Sequence, residues 1–513
     1  CYTLFLPLFV VSQNHTLSGY VKDASTGEAL IGVSIFVEKE SKGVTTNVYG
    51  YYSISLNSGE YKVKYSYVGY SSVVKKVQFS DHIRLNIDLI ESQDILDEVV
   101  IDAKQSDENT RGTQMGKIEL SMDKIKTIPA FMGEVDVLKT IQFLPGVSSG
   151  GEGNTGFYVR GGGPDQNLIL LDEATVYNAS HLFGFFSVFN ADAIKNVSLT
   201  KGGMPANYGG RLSSVLDITM KDGNYKSFQG DGGIGLIASR LTLQGPIKKD
   251  TASFIISGRR TYIDVLAEPF IPETSPSKGS GYYFFDLTAK VNWRLSDKDR
   301  LYLSSYFGRD IFSFKNKDLD FNFKVPWGNA TASLRWNHLF SDKLFVNTTG
   351  VFTDYNFAFE GGSNGFNFRL GSGIRDFNLK QDYTYYHNTL HNIKFGWNYT
   401  FHRFIPSSLS ASSGDVEFNT IDETKIFGNE YAIYFQDEWD INENLKVNLG
   451  FRLSAYQHVG PFTRYYKNPN SGATDSTTSY SNFEAIKTYF GPEPRFSARY
   501  LLPDNSSFKF GFA

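Results

Sequence analysis

From about residue 225 onward, runs of roughly ten residues alternate apolar and polar side chains, the length that crosses a bilayer as a tilted β-strand. In EYAIYFQDEWD, Tyr431, Ile433, Phe435 and Trp439 share one face, and Glu430, Gln436 and Glu438 the other. NLKVNLGFRLSAY sets Leu445, Val447, Leu449, Phe451 and Leu453 against Lys446, Asn448, Arg452 and Ser454, and HNIKFGWNYTF repeats the pattern. A soluble sandwich also alternates, so the connections decide. Short turns near Ile247–Asp250, Ser296–Asp299, Ser341–Lys343, His387–Thr389, Asp440–Asn444 and Pro503–Ser506 alternate with long loops near Ile263–Gly281, Arg309–Gly328, Glu360–Gly371, Arg403–Phe427 and His458–Thr488. That rhythm belongs to a transmembrane β-barrel with short inner turns and long outer loops. Parity then requires two strands before Ile247, with an outer hairpin near Gly235–Ser239.

Composition agrees. Aromatics make up 15% of 513 residues, with 31 Tyr, 43 Phe and 48 Gly. No apolar run reaches the ~18 residues that a membrane helix needs, which leaves strands as the means of insertion. The net charge of -4 and scattered basic residues give nucleic acid no footprint. The single cysteine, Cys1, heads CYTLFLPLFVVSQ, which reads as the end of a signal-peptide apolar region cleaved around Ser12 or Gln13.

Between Leu138 and Met220 lie short β-type runs bounded by turn residues. Their motifs occur in a fixed order: Leu144-Pro145-Gly146-Val147, Tyr158-Val159-Arg160-Gly161-Gly162, Leu170-Leu171-Asp172, Lys201-Gly202-Gly203, Tyr208-Gly209-Gly210-Arg211 and Leu216-Asp217-Ile218. This order resembles the plug domain of TonB-dependent outer-membrane receptors, and HLFGFFSVFNADAIK resembles the Bacteroidetes type. GYVKDASTGEALIGVSI, followed by GYYSISLNSGEYKVKYSYVGY, resembles the carboxypeptidase-regulatory-like domain that often precedes such plugs. That name denotes a fold relative and implies no catalysis.

The expected organisation is mainly β: a signal-peptide remnant at 1–13, an Ig/transthyretin-like β-sandwich at 16–91, a polar linker at 92–117, a small α+β plug at 118–223 and an antiparallel barrel at 225–513. The barrel stretch holds about twelve or thirteen strands, whereas plugged barrels use about 22. A plug of about one hundred residues has a radius of gyration near 13 Å, too wide for so few strands to enclose. The chain is therefore expected to be a fragment lacking its C-terminal strands.

Within the linker, Asp97, Glu98, Val99, Val100 and Ile101 read either as a last sandwich strand or, by resemblance, as a TonB box. There the periplasmic energy-transducing protein would add a strand, which β-branched residues on a polar tether suit. Arg160 is either a solvated turn residue or, as in the resembling family, faces a wall carboxylate, as does Arg211. The glycines from Gly161 serve tight turning. Tyr177, Asn178, His181, Phe183, Phe185 and Phe186 form an aromatic-polar cluster that would either stack on a ligand beneath the outer loops or pack plug against wall. No catalytic set, cofactor site or metal site is expected. The resemblance implies energised import of a siderophore, cobalamin, glycan or peptide, or else a ligand-sensing barrel that signals without transport. Implied partners are the TonB protein, outer-membrane lipid and the nutrient, with a surface lipoprotein left open. The sandwich would be periplasmic.

Overall fold

The structure, a computed structural model, describes residues 14–40, 42–92, 112–114, 116–128, 134–151, 155–181, 184–421, 425–504 and 506–513. The signal-peptide stretch, Asp97–Ile101 and Phe183 lie outside these residues.

The N-terminal strands form two sheets. In one, Asn14–Asp23 pairs antiparallel with Tyr51–Asn57 and parallel with Ile83–Arg84 and Ile87–Leu89. The other runs in the order Lys42–Thr45, Ser34–Val37, Gly59–Ser66 and Val73–Phe79. Alternating residues such as Val63, Tyr65, Ile35 and Phe79 are fully buried between them.

The plug sheet orders Ala174–Thr175, Asn167–Leu171, Ser214–Met220, Ile194–Lys201 and Lys117–Ser121, with the central pair parallel. The short helix Val137–Gln142 covers it, capped by the Asp136 side chain, which accepts from the Lys139 backbone N–H at 3.0 Å and from that of Ser187 at 2.6 Å.

Among the described residues, fourteen strands make one antiparallel sheet, thirteen of them on a path from Gln229–Ile234 to Ser507–Phe512. The pair Gln229–Ile234 and Ala238–Lys248 places the first outer hairpin where parity puts it. The alternation resolves as expected: Ile433 is 59% exposed, whereas its neighbours Ala432 and Tyr434 are 3% and 7% exposed. The loops differ from expectation. Most of Arg309–Gly328 and Glu360–Gly371 is paired strand, with Phe314 opposite Phe323 and Gly361 opposite Phe368. Strands reach 21 residues at Phe321–Ser341 and 23 at His391–Ser413. Alternation continues through FSFK and FNFK without a breaker, so pairing continues too. Ile263–Gly281 does leave the sheet, through the short helices Ile263–Ala267 and Glu268–Phe270.

Candidate functional site

The plug meets the wall most intimately at one turn. Leu171 and Ala174 pair across a two-residue hairpin whose central residues, Asp172 and Glu173, have φ of 46° and 73°. Such a turn matches strand twist, but a left-handed glutamate costs on the order of 1 kcal/mol. Charge holds it in place. The Asp172 carboxylate accepts from the Met220 backbone N–H at 2.9 Å, the Ser304 hydroxyl at 2.6 Å and Arg335 at 2.8 Å, with Lys290 at 3.1 Å. Glu173 meets Lys380 at 3.0 Å and accepts from Thr349 at 2.8 Å and Asn347 at 3.0 Å. Burial by itself would raise both carboxyls. For Asp172 the Arg335 and Lys290 charges outweigh it and hold the group below its usual range. For Glu173 Lys380 and Arg335 do the same, down to about 2.

His181 makes a second seat. Its Nδ1 lies 2.7 Å from Asp310 and its Nε2 3.1 Å from Asp286, while the ring stacks on Phe284 with centroids 4.0 Å apart. Arg259 shares Asp286 and donates to the Ser187 carbonyl at 2.7 Å. Burial disfavours an imidazolium here, but Asp310 and Asp286 outweigh it and raise the His181 pKa.

On the far side, the wall holds the plug by its backbone. Gln436 accepts from the Ala206 N–H at 2.8 Å, Arg452 donates to the Asn207 carbonyl at 3.2 Å, and Arg495 reaches the Met204 and Tyr208 carbonyls at 3.4 Å. A Cβ on Gly209 would stand 2.4 Å from Arg452 Nε, so a side chain there would collide with the wall arginine. Between hairpin and far wall lies a polar cavity of about 120 Å³, reached by Glu173, Tyr177, Arg211, Asp376, His402 and Glu430. Its volume holds a few waters or a small polar group.

The sequence-derived candidates divide. Asp172 is the centre of the first seat. The Tyr208 hydroxyl donates to Asp217 at 2.9 Å within the plug. Gly210 and Arg211 border the cavity beside the wall acid Glu430. Arg160 is exposed and lies against Gly202, and among the described residues it pairs with no wall carboxylate. Gly161 takes φ of 87°, and a Cβ on Gly162 would meet Ser213 at 2.6 Å. The aromatic-polar cluster is largely plug-to-wall packing. Tyr177 donates to Asp376, the Asn178 carbonyl accepts from Asn329 at 2.6 Å, and His181 and Phe186 are buried against Phe284. Phe185, at 43% exposure, stays open. Sequence reading missed Glu173 and the inward cations Lys290, Arg335 and Lys380. Alternation marks their faces, but nothing in one chain pairs them.

Family models match three stretches: a CarboxypepD_reg-like domain over residues 17–101, a TonB-dependent Receptor Plug Domain over 125–214, and a TonB dependent receptor-like β-barrel over 269–513. TonB-dependent receptor P26 of Formosa agariphila is 26% identical over 230 residues, which cover 42% of this chain and 22% of that relative. The fold is similar to that of the Copper transporter OprC (TM-score 0.57, 13% identity, covering 78% of this chain and 65% of that one). It is also similar to P. aeruginosa FpvA bound to heterologous pyoverdines (0.55, 13%, 78% and 56%) and to the unliganded ferric citrate transporter FecA (0.52, 13%, 78% and 62%). The chain thus spans less than two thirds of the length of each.

Proposed function

Because the chain belongs to the TonB-dependent receptor family, whose members are receptors and transporters and not enzymes, we propose that it imports a scarce nutrient across the outer membrane. The observation that carries this reading is the plug seated across the inward face of the strand sheet by buried charge at Asp172, Glu173 and His181. A seat of that kind opposes opening, because separating buried partners leaves uncompensated charge. Work delivered from outside the plug would overcome it. Asp97–Ile101, at the end of the stretch that the CarboxypepD_reg-like model matches, follows the last described sandwich strand, Ile87–Leu89, and precedes the first plug strand in sequence; it is the segment on which a periplasmic TonB protein would add a strand. Ligand would be taken above the plug, where Phe185 is open, and beneath the outer ends of the strands.

The test is uptake in cells. A panel of labelled siderophores, cobalamin, oligosaccharides and peptides is offered to energised cells carrying the receptor, and accumulation in the periplasm is measured. Val99→Pro, which removes a ladder donor, is expected to abolish accumulation and leave surface binding intact. Binding without accumulation in energised wild-type cells would replace import by ligand sensing. Full uptake by Val99→Pro would return Asp97–Ile101 to the sandwich.

A further inference from the structure

The N-terminal sandwich does not hang free of the rest of the molecule. Tyr20, Tyr49 and Tyr51 are buried in one cluster with Tyr302, Leu339 and Phe345 of the wall. The Tyr49 ring stacks on Phe345 at 5.5 Å, and Arg300 lies 3.4 Å over the ring of Tyr20. Asp342, in an inner turn, accepts from Ser18 at 3.0 Å and pairs with Arg84 at 2.5 Å, and its carbonyl accepts from the Tyr51 hydroxyl at 2.8 Å. A second contact grips the junction between plug and wall: Glu28 pairs with Lys195 at 3.1 Å and accepts from the Asp222 N–H at 2.9 Å, and the Tyr225 N–H donates to the Thr26 carbonyl at 2.7 Å. The third contact is the informative one. The Tyr49 hydroxyl donates to Glu173 Oε1 at 2.8 Å, on the strained hairpin that also borders the polar cavity.

We propose that the sandwich is a latch on the plug: docked at the inner mouth, it holds the Asp172–Glu173 hairpin in its wall seat through Tyr49, and its release loosens that hairpin. The geometry supplies each element. Glu173 sits in a backbone conformation that needs support. Tyr49 gives it a charge-assisted hydrogen bond from outside the plug, and Tyr49 is held only as firmly as the sandwich is docked. Asp342 bonds to no plug residue among the described residues, yet it anchors the sandwich edge that carries Tyr51, two residues from Tyr49. This inference does not depend on which nutrient is carried, nor on import as opposed to sensing.

Amide hydrogen exchange on the full receptor in membranes tests it. Tyr49→Phe keeps the ring and its stacking and removes only the hydroxyl. Exchange across Asn167–Thr175 is expected to quicken roughly tenfold, the scale of one hydrogen bond to a charged group, while the strands of the sandwich keep wild-type rates. Asp342→Ala is expected to quicken the same plug amides from a distance, and Lys76→Ala, on the outer sandwich sheet, to leave them unchanged. Combined with Glu173→Ala, which takes away the acceptor itself, Tyr49→Phe should add little, because the bond it removes is already gone. Wild-type hairpin exchange in Tyr49→Phe, or an Asp342→Ala variant that frees the sandwich without touching the hairpin rates, would overturn the latch.

Discussion

The plug is held in two different ways by two parts of the wall. Strands from Gly281–Arg294 to Phe366–Tyr386 bond its backbone too, as Asn329 does at the Asn178 carbonyl, but they add side-chain charge aimed at Asp172, Glu173 and His181. Strands from Ile426–Asp440 to Ala485–Leu501 hold it by its backbone, through Gln436, Arg452 and Arg495. The first grip depends on which residues the plug carries. The second depends only on its path, together with the bare backbone at Gly209. Buried charge makes the first grip costly to break and selective, whereas the second tolerates change in plug sequence and yields in small steps.

The largest expected effect is on the charged side. Arg335→Ala leaves Asp172 buried with one fewer cation, and truncating one partner of such a cluster typically costs about 3–5 kcal/mol. Denaturant unfolding of the plug should register that loss, and a change below about 1 kcal/mol would show that Lys290 alone suffices. Gly209→Ala attacks the other side. Its Cβ must displace Arg452, with overpacking worth roughly 1–3 kcal/mol, and pairing it with Arg452→Ser should recover most of the loss. If the double variant is no more stable than the single one, the collision lies elsewhere.

Acidity acts on the charged grip, and on its two seats with opposite signs. The folded His181 pKa lies above its ordinary value, so its contribution is complete below about pH 6.5 and is lost as pH rises through the raised value. Glu173 has the opposite sign: its folded value near 2 lies below the ordinary carboxyl, so its contribution is present above about pH 4.5 and is lost as pH falls toward 2. Plug protection measured from pH 5 to 9 should decline on the alkaline side in wild type and flatten in His181→Gln. A decline that survives in His181→Gln would assign it to another group. The smallest effect belongs to Arg495→Gln, which removes two bonds of 3.4 Å and should cost about 0.5–1.5 kcal/mol, measured by the same unfolding.

Strand number, face and the outer hairpin near Gly235–Ser239 were legible because alternation and turn chemistry act locally. Asp172 was legible as a motif residue. Its partners were not, because Lys290, Arg335 and Lys380 lie more than a hundred residues away, and a single chain records which face each occupies but not which plug atom it meets. The docked sandwich was missed for a related reason: Tyr20, Tyr49 and Tyr51 look like ordinary sandwich aromatics until a wall stands opposite them. Loop lengths were overstated because polar, glycine-containing strand ends read as loops, although their neighbours pair them into the sheet.

The unexpected strand lengths also set how far the sheet reaches beyond the thickness of a bilayer. His391–Ser413 has 23 residues; at ~3.3 Å per residue and a tilt near 45°, it climbs roughly 50 Å, against a hydrocarbon core of about 30 Å. About 20 Å of hydrogen-bonded strand, paired to its neighbour along that length, therefore extends beyond the hydrocarbon thickness.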